Sequence, residues 1–268
     1  MKSISKILAL VLTLSLLLPA AAFADTTIVK IGVVGEYTEQ WDVVNKILEP
    51  EGIQVELVPF TDYSLPNQAL ADGEIDLNAF QHYAFLENQK KALNLDLTAI
   101  GETLIAPLGL YSKKIKSIDE LQDGDKIALP NDATNEGRAL KILESAGLIV
   151  VDPAAGYLPE LSDVTENKLN LEFVEVEAAQ TPGLLPDVAA AFINGGHAVD
   201  NGYYPATDAI LLETVQEGSD NPYINIIAAR TADKDNEVYK KIVEAYHSDE
   251  VAEVFAVTYK GAFLPAWK

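Results

Sequence analysis

FTDYSLPNQALADGEIDLNAFQHYAFLE, running from Phe60 to Glu87, decides how the rest of the chain reads. Val55 to Phe60 leads into it as a strand. Ser64 is placed to cap a helix with Pro66 in its first turn, and Gly73 stops that helix after Asp72. A second short apolar run, Ile75 to Leu77, then delivers Asn78, Phe80, Gln81, His82, Tyr83 and Phe85 to the start of another helix. Strand ends beside helix starts are where α/β folds put their ligands. The groups that converge there are polar or aromatic, with no nucleophile among them, so the segment reads as a binding site and not a catalytic one.

Upstream, the pattern is strand Thr27 to Val34, helix Glu39 to Leu48 and strand Ile53 to Pro59. Downstream, Leu97 to Ile105 is extended and Gly109 to Ser112 continues after Pro107. The pattern then restarts. Ser117 to Leu121 reads as a short capped helix, Lys126 to Leu129 as a buried strand, and Asn135 to Ala146 as a helix ended by Gly147. A loop rich in Pro and Gly covers Val151 to Pro159, Leu171 to Val176 is a strand, Thr181 to Asp187 a turn into a small helix, and Val188 to Ile193 strand-like. Tyr223 to Arg230 and the helical patterns Asn236 to His247 and Asp249 to Tyr259 complete the chain.

Strands alternating with helices, twice over, predict an α/β fold of two lobes with a ligand cleft between them. The expected division is residues 25–108 with 229–268 in the first lobe and 109–228 in the second. The apolar fraction of 49% is ample for buried cores, and no repeat of solenoid length is present.

The start of the sequence stands apart. Lys2 and Lys6 precede an uncharged apolar run from Ile7 to Leu18, followed by Ala22-Phe23-Ala24. That is the pattern of a secretory signal peptide cleaved after Ala24, and the run is short for a membrane span. An exported, periplasmic or extracellular protein is expected.

Charge and composition exclude several function classes. The 41 acidic residues outnumber the 19 basic ones, for a formal charge of −22, and losing Lys2 and Lys6 makes it more negative. Such a surface repels phosphate backbones and anionic lipid, so nucleic acid is not expected as a partner. Cysteine is absent, which removes disulfides, thiol catalysis, thiolate metal sites and acylation of an N-terminal Cys. The three histidines, His82, His197 and His247, have no metal-ligand spacing. No GxSxG, Walker A or GxGxxG pattern occurs, and carboxylate pairs in so acidic a chain are ordinary surface. Neither a cofactor, a metal nor an enzymatic activity is expected.

Four stretches in order then carry a resemblance: DYSLPNQAL at 62–70, IDLNAFQH at 75–82, GLYSKKIKSIDEL at 109–121 and PNDATNEGRAL at 130–140. With IVKIGVVG at 28–35 and PYINIIAAR at 222–230, they are similar to the NlpA-type substrate-binding proteins of methionine uptake transporters, over essentially the whole chain after residue 24. The resemblance implies a periplasmic-binding-protein architecture (type II). It also implies capture of L-methionine, or of D-methionine or a methionine dipeptide, for delivery to a membrane ABC transporter permease. A monomer is expected.

Carried over residue by residue, the resemblance gives Arg138 the ligand carboxylate, for which its planar fork suits bidentate pairing. It gives Asn194 and Asn225 the amino and carboxylate groups, and Tyr63, Phe80, His82 and Phe85 the side chain. A thioether gains from aromatic walls. Read without the family, Arg138 has the alternative of an exposed helix arginine bridging to Glu136 or Glu144, the asparagines fit turn positions, and Phe80 and Phe85 fit ordinary core. The chain departs from the family in having no Cys to acylate, so no lipid anchor is expected. It also reads FQHYAF where FQH-x-PY is usual, and Asn194-Gly195-Gly196-His197 at a turn that commonly begins Asn-Thr or Asn-Gly-Asn. Two other functions fit the same features: a binder of another small anionic solute, and a surface adhesion or signalling protein reusing the scaffold.

Overall fold

The computed structural model describes residues 26–156, 158–215 and 221–268. The expected signal peptide and its cleavage after Ala24 lie outside those residues. No helix among them is long and apolar enough to cross a membrane.

Two sheets organise the chain. The first has the strand order Leu264–Pro265, Leu97–Ile105, Ile224–Arg230, Leu77–His82, Thr27–Val34, Ile53–Phe60. Thr27–Val34, rich in β-branched residues, runs parallel to Ile53–Phe60 and to Leu77–His82, with Ile31 opposite Leu77. Ile224–Arg230 is antiparallel to both Leu77–His82 and Leu97–Ile105. The second sheet has the order Leu211–Leu212, Gly109–Tyr111, Ala190–Ile193, Lys126–Pro130, Glu172–Val176, and its last three strands are parallel to one another. Each sheet has its own core, so the fold is the two-lobed α/β arrangement that the alternation of elements predicts.

In the first lobe, helix Glu39–Leu48 buries Trp41, Val44 and Leu48 at helical spacing. These pack with Tyr239, Ile242 and Tyr246 of helix Glu237–Tyr246 on Ile31 and Val33 of the sheet. Burying side chains of this size stabilises by roughly 1.5–3 kcal/mol each. In the second lobe, helix Ala133–Ser145 lays Ala139, Leu140 and Leu143 on Ile127, Leu129 and Phe192. Asp132 caps it by accepting from the Asn135 N–H at 3.0 Å, so the helix starts two residues before the expected Asn135.

The structure differs from the sequence reading in several places. Ser64 is not an N-cap: the helix is Pro66–Ala71, Leu65 takes the cap position without a side-chain bond, and the Ser64 hydroxyl bonds Asp62. The apolar run at Ile75 is the approach to a longer strand, Leu77–His82, so Asn78, Phe80, Gln81 and His82 lie on a strand before the helix Tyr83–Leu93. That strand tolerates buried polar residues because their amides satisfy one another. Asn67 and Gln81 exchange bonds of 2.8 and 2.6 Å, and Asn78 donates to Asn67 at 2.9 Å and accepts from Gln81 at 2.9 Å.

A two-stranded ribbon, Ile149–Val151 with Val164–Asn167, flanks the stretch Val151 to Pro159 read as loop, and the sequence reading did not include it. The α-helix begun at Asp249 ends at Glu253 and passes into a π turn, Val254–Thr258. Chain crosses from the first sheet to the second at Ala106–Leu108. Ile224–Arg230 pairs throughout with the first sheet, so the return occurs before Ile224 and not at residue 229.

Candidate functional site

A cleft with about 410 Å³ of empty space lies between the lobes. All seven residues singled out in the sequence line it: Tyr63, Phe80, His82, Phe85, Arg138, Asn194 and Asn225. The first four stand on the first lobe, as does Asn225, whose strand places it opposite His82. Arg138 and Asn194 stand on the second. Asn225 therefore does not face the aromatic group from across the cleft, as grouping it with Arg138 and Asn194 implies.

The aromatic wall is a packed triangle. Tyr63, Phe80 and Phe85 have ring centroids 5.9 Å apart in every pairing, and they rest on Val34. Phe85 meets both neighbours edge-on, the arrangement that opposes a ring's positive edge to its partner's negative face. Burial holds the Tyr63 hydroxyl protonated, its pKa pushed well above the ordinary value with smaller contributions from Tyr37, Asp132 and Asp200. Its ring also lies over His197 of the second lobe, centroids 5.2 Å apart.

His82 ends its strand and caps the helix that follows, its Nδ1 accepting from the Phe85 N–H at 3.0 Å. An accepting Nδ1 fixes the proton on Nε2, which donates across the cleft to Asn135 Oδ1 at 3.4 Å. The ring stays neutral. Burial, and then the positive charge of Arg138, push its pKa down to about 3.

Asn135 passes this polarity on. Its Oδ1 also accepts from Asn194 Nδ2 at 2.8 Å, and its own Nδ2 donates to Asp132 at 2.9 Å. The Asn194 amide is thereby oriented with Nδ2 towards Asn135 and Oδ1 buried without a partner among the described residues. A buried acceptor left open carries a cost of roughly 1–3 kcal/mol unless something donates to it. Asn225 has one long bond, Nδ2 to Tyr223 O at 3.5 Å.

Arg138 is buried, not exposed, and it pairs with neither Glu136 nor Glu144. Its partner is Glu213, which the sequence does not point to. Nε donates to Glu213 Oε1 at 2.6 Å, Nη2 donates to Glu213 Oε2, and Nη2 also donates to Ala106 O at 3.0 Å. The Tyr223 ring covers the guanidinium at 4.4 Å. Three of the five N–H donors are thus taken, and among the described residues Nη1 has no hydrogen-bond partner. The bidentate fork expected for a ligand carboxylate is occupied from within the protein, while Arg138 still lines the cleft.

Other lining residues escaped the sequence reading as site residues: Tyr37, Ala106, Asn135, Gly195 and Gly196, while Gln81 was among the groups read as converging there. Asn135 and Gln81 do sit inside motifs quoted above. Tyr37 carries no sequence signal. The lining contains no Ser, Thr, Asp or Glu, and among the described residues no group of His, Asp and Glu is placed to hold a metal ion. What the arrangement can do is bind: one cationic nitrogen, one open acceptor and an aromatic wall within a single cleft.

Known proteins share this sequence and fold. A chain from Yersinia pestis described as the D-methionine-binding lipoprotein MetQ is 44% identical, covering 99% of this chain and 98% of its own. A solved nutrient-binding protein from Burkholderia cenocepacia, bound to methionine, superposes with a TM-score of 0.85 at 41% identity, covering 89% of this chain and 99% of its own. The substrate-binding protein of a methionine transporter from Streptococcus pneumoniae superposes with a TM-score of 0.84 at 37% identity, covering 90% and 96%. The family model for NlpA lipoprotein matches residues 29–267, which takes in both sheets and every residue of the cleft, so the chain belongs to the NlpA lipoprotein family.

Proposed function

We propose that the cleft captures methionine as a free amino acid and that the protein delivers it to a membrane ABC importer. The observation that carries this reading is the pairing of Asn194 Oδ1, buried and open, with Arg138 Nη1, cationic and open, beside the Tyr63-Phe80-Phe85 wall. An open acceptor takes an ammonium group and an open guanidinium nitrogen takes a carboxylate. The wall takes an apolar side chain, and a thioether gains roughly 0.3–1.5 kcal/mol at an aromatic edge. Neutral His82 adds no competing charge.

Relatives described as methionine-binding proteins support a binding role. The protein acts as an exported monomer, and the absence of cysteine from the sequence leaves no thiol for a lipid anchor. The relatives called lipoproteins support an extracytoplasmic location.

Isothermal titration of refolded, ligand-stripped protein with L-methionine, D-methionine and norleucine tests the reading. Norleucine replaces the sulfur with a methylene, so binding to methionine should be the tighter, by up to about tenfold for the thioether contribution. No heat and no rise in melting temperature with any amino acid would reject it.

A further inference from the structure

Tyr37 follows the first strand, in a turn opened by Gly35 at φ +92°, and it reaches across to the second lobe. Its place depends on a missing atom. A Cβ built on Gly196 would fall 2.4 Å from Tyr37 Cε1 and 2.9 Å from its Cζ and Oη, distances that real Cβ atoms do not show. Gly196 is in the right-handed region, so its need for a hydrogen there is steric and not conformational. The Tyr37 ring is also fixed from beneath. It packs on Phe263, centroids 5.0 Å apart, and edge-on to Tyr259 at 6.3 Å, and its carbonyl accepts from Gln40 Nε2 at 2.9 Å. The turn is clamped from the opposite lobe, where Asp200 accepts from the Glu36 N–H with both carboxylate oxygens at 3.1 Å. Burial keeps the Tyr37 hydroxyl protonated.

Asn194 immediately precedes Gly195-Gly196, so the ring lies at the end of the cleft where the open Asn194 acceptor sits. An acceptor of that kind receives the ammonium end of an amino acid. Resting on the amino-acid reading above, we propose that Tyr37, admitted by Gly196 and clamped through Asp200, is a specificity-determining wall at the ammonium end of the cleft. It restricts the ligand to a free α-amino acid and excludes peptides extended at the amino end. A glycyl extension would need the volume the ring fills. Extension at the carboxyl end meets Arg138 and is governed separately.

The test is titration of the ligand-stripped full chain with L-methionine, glycyl-L-methionine and L-methionylglycine, for wild type, Tyr37→Ala, Gly196→Ala and the double variant. Wild type should prefer methionine over glycyl-methionine by at least about tenfold, and Tyr37→Ala should close most of that gap without changing the methionine to methionylglycine ratio. Gly196→Ala, which forces a methyl into the ring, should weaken methionine binding by about tenfold, and the Tyr37→Ala background should remove that penalty. Wild type that takes glycyl-methionine as tightly as methionine, or Tyr37→Ala with an unaltered ratio, would overturn the assignment while leaving the amino-acid reading intact. Wild type that binds none of the three would reject that reading, and this assignment with it.

Discussion

Glu213 holds the guanidinium of Arg138 at 2.6 Å from Nε, and the same two residues are tied to the segment that joins the lobes. Arg138 donates to Ala106 O at 3.0 Å, and Glu213 accepts from the Leu108 N–H at 3.1 Å. The ion pair therefore anchors the cationic group of the cleft to the segment that crosses between the two sheets. Two guanidinium N–H groups meet the two carboxylate oxygens, and Ala106 O and the Leu108 N–H complete the network, which is the condition for burying charge without a large net cost.

Removing one partner of this pair should cost more than removing both. Glu213→Ala leaves a buried guanidinium uncompensated and should lower unfolding stability by about 3 kcal/mol, and Arg138→Ala should do the same for the carboxylate. The double variant should fall well short of the sum, which urea denaturation of the four proteins would show. Binding separates the two residues. Arg138→Ala should weaken methionine by roughly 2–5 kcal/mol, whereas Glu213→Gln, which retains an acceptor for Nε, should weaken it less.

Asp200 gives a pH dependence of unusual sign. Burial, and then Glu36 and Glu39, push its carboxyl up to about 6, against hydrogen bonds from the turn that pull it down. Tyr37 and Tyr63 face it as uncharged phenols. A carboxyl raised above its unfolded value favours the folded, clamped state when protonated. Its ionised form thus destabilises that state above about pH 6, and the penalty is relieved as pH falls from about 6 towards the ordinary carboxylate range. Asp200→Asn keeps an acceptor for the Glu36 N–H and removes the charge. It should exceed wild type in stability by about 1 kcal/mol at pH 7.5, the figure being reduced for solvent screening of a half-buried group, and match it near pH 4. Equal stability of the two proteins across that range would contradict the assignment.

The histidines act in the opposite direction. Burial pushes His82 down to about 3 and His197 to about 4, so each binds a proton more readily unfolded than folded. Their stabilising contribution is complete above about pH 6.5 and is lost as pH falls from there towards 4. His197→Phe keeps the ring contact with Tyr63 and removes a buried Nε2 that has no partner among the described residues. It should flatten the acid limb of the stability profile and raise stability at neutral pH by about 1 kcal/mol. The variant's melting temperature profile from pH 4 to 8 should be shallower than that of wild type, with the His82 share of the slope remaining, and an unchanged slope would show that His197 is not a titrating group.

Much of the cleft was legible because its residues sit in compact stretches with a chemical signature. Phe60 to Glu87 alone supplies Tyr63, Phe80, His82 and Phe85, and the capped helix at 133–145 supplies Arg138. What could not be read depends on encounters between distant residues. Glu213 stands 75 positions from Arg138 in an ordinary apolar run, ILLET. Tyr37 belongs to the cleft because Gly196 lacks a Cβ, and an absent atom leaves no pattern at residue 37. The strand at Leu77–His82 was hidden for a related reason: its buried Asn78 and Gln81 break the apolar alternation, and they are tolerable only because Asn67 comes from another element to complete their bonds.

Phe85 is where side-chain choice is most open to measurement. Its ring is 4% exposed and meets both Tyr63 and Phe80 edge-on, so it is a structural member of the triangle as well as a face of the cleft. Its backbone N–H also fixes the His82 tautomer, a bond that no substitution at the side chain removes. Phe85→Leu keeps an apolar residue and loses the aromatic edge. The expected result is a modest loss of stability, about 1–2 kcal/mol, from imperfect packing. Methionine binding should weaken more than norleucine binding, since only the sulfur gains roughly 0.3–1.5 kcal/mol from the ring. Calorimetry with both ligands reads the ratio directly. If Phe85→Leu weakens the two equally, the ring serves packing alone and discrimination for the thioether lies with Tyr63 and Phe80.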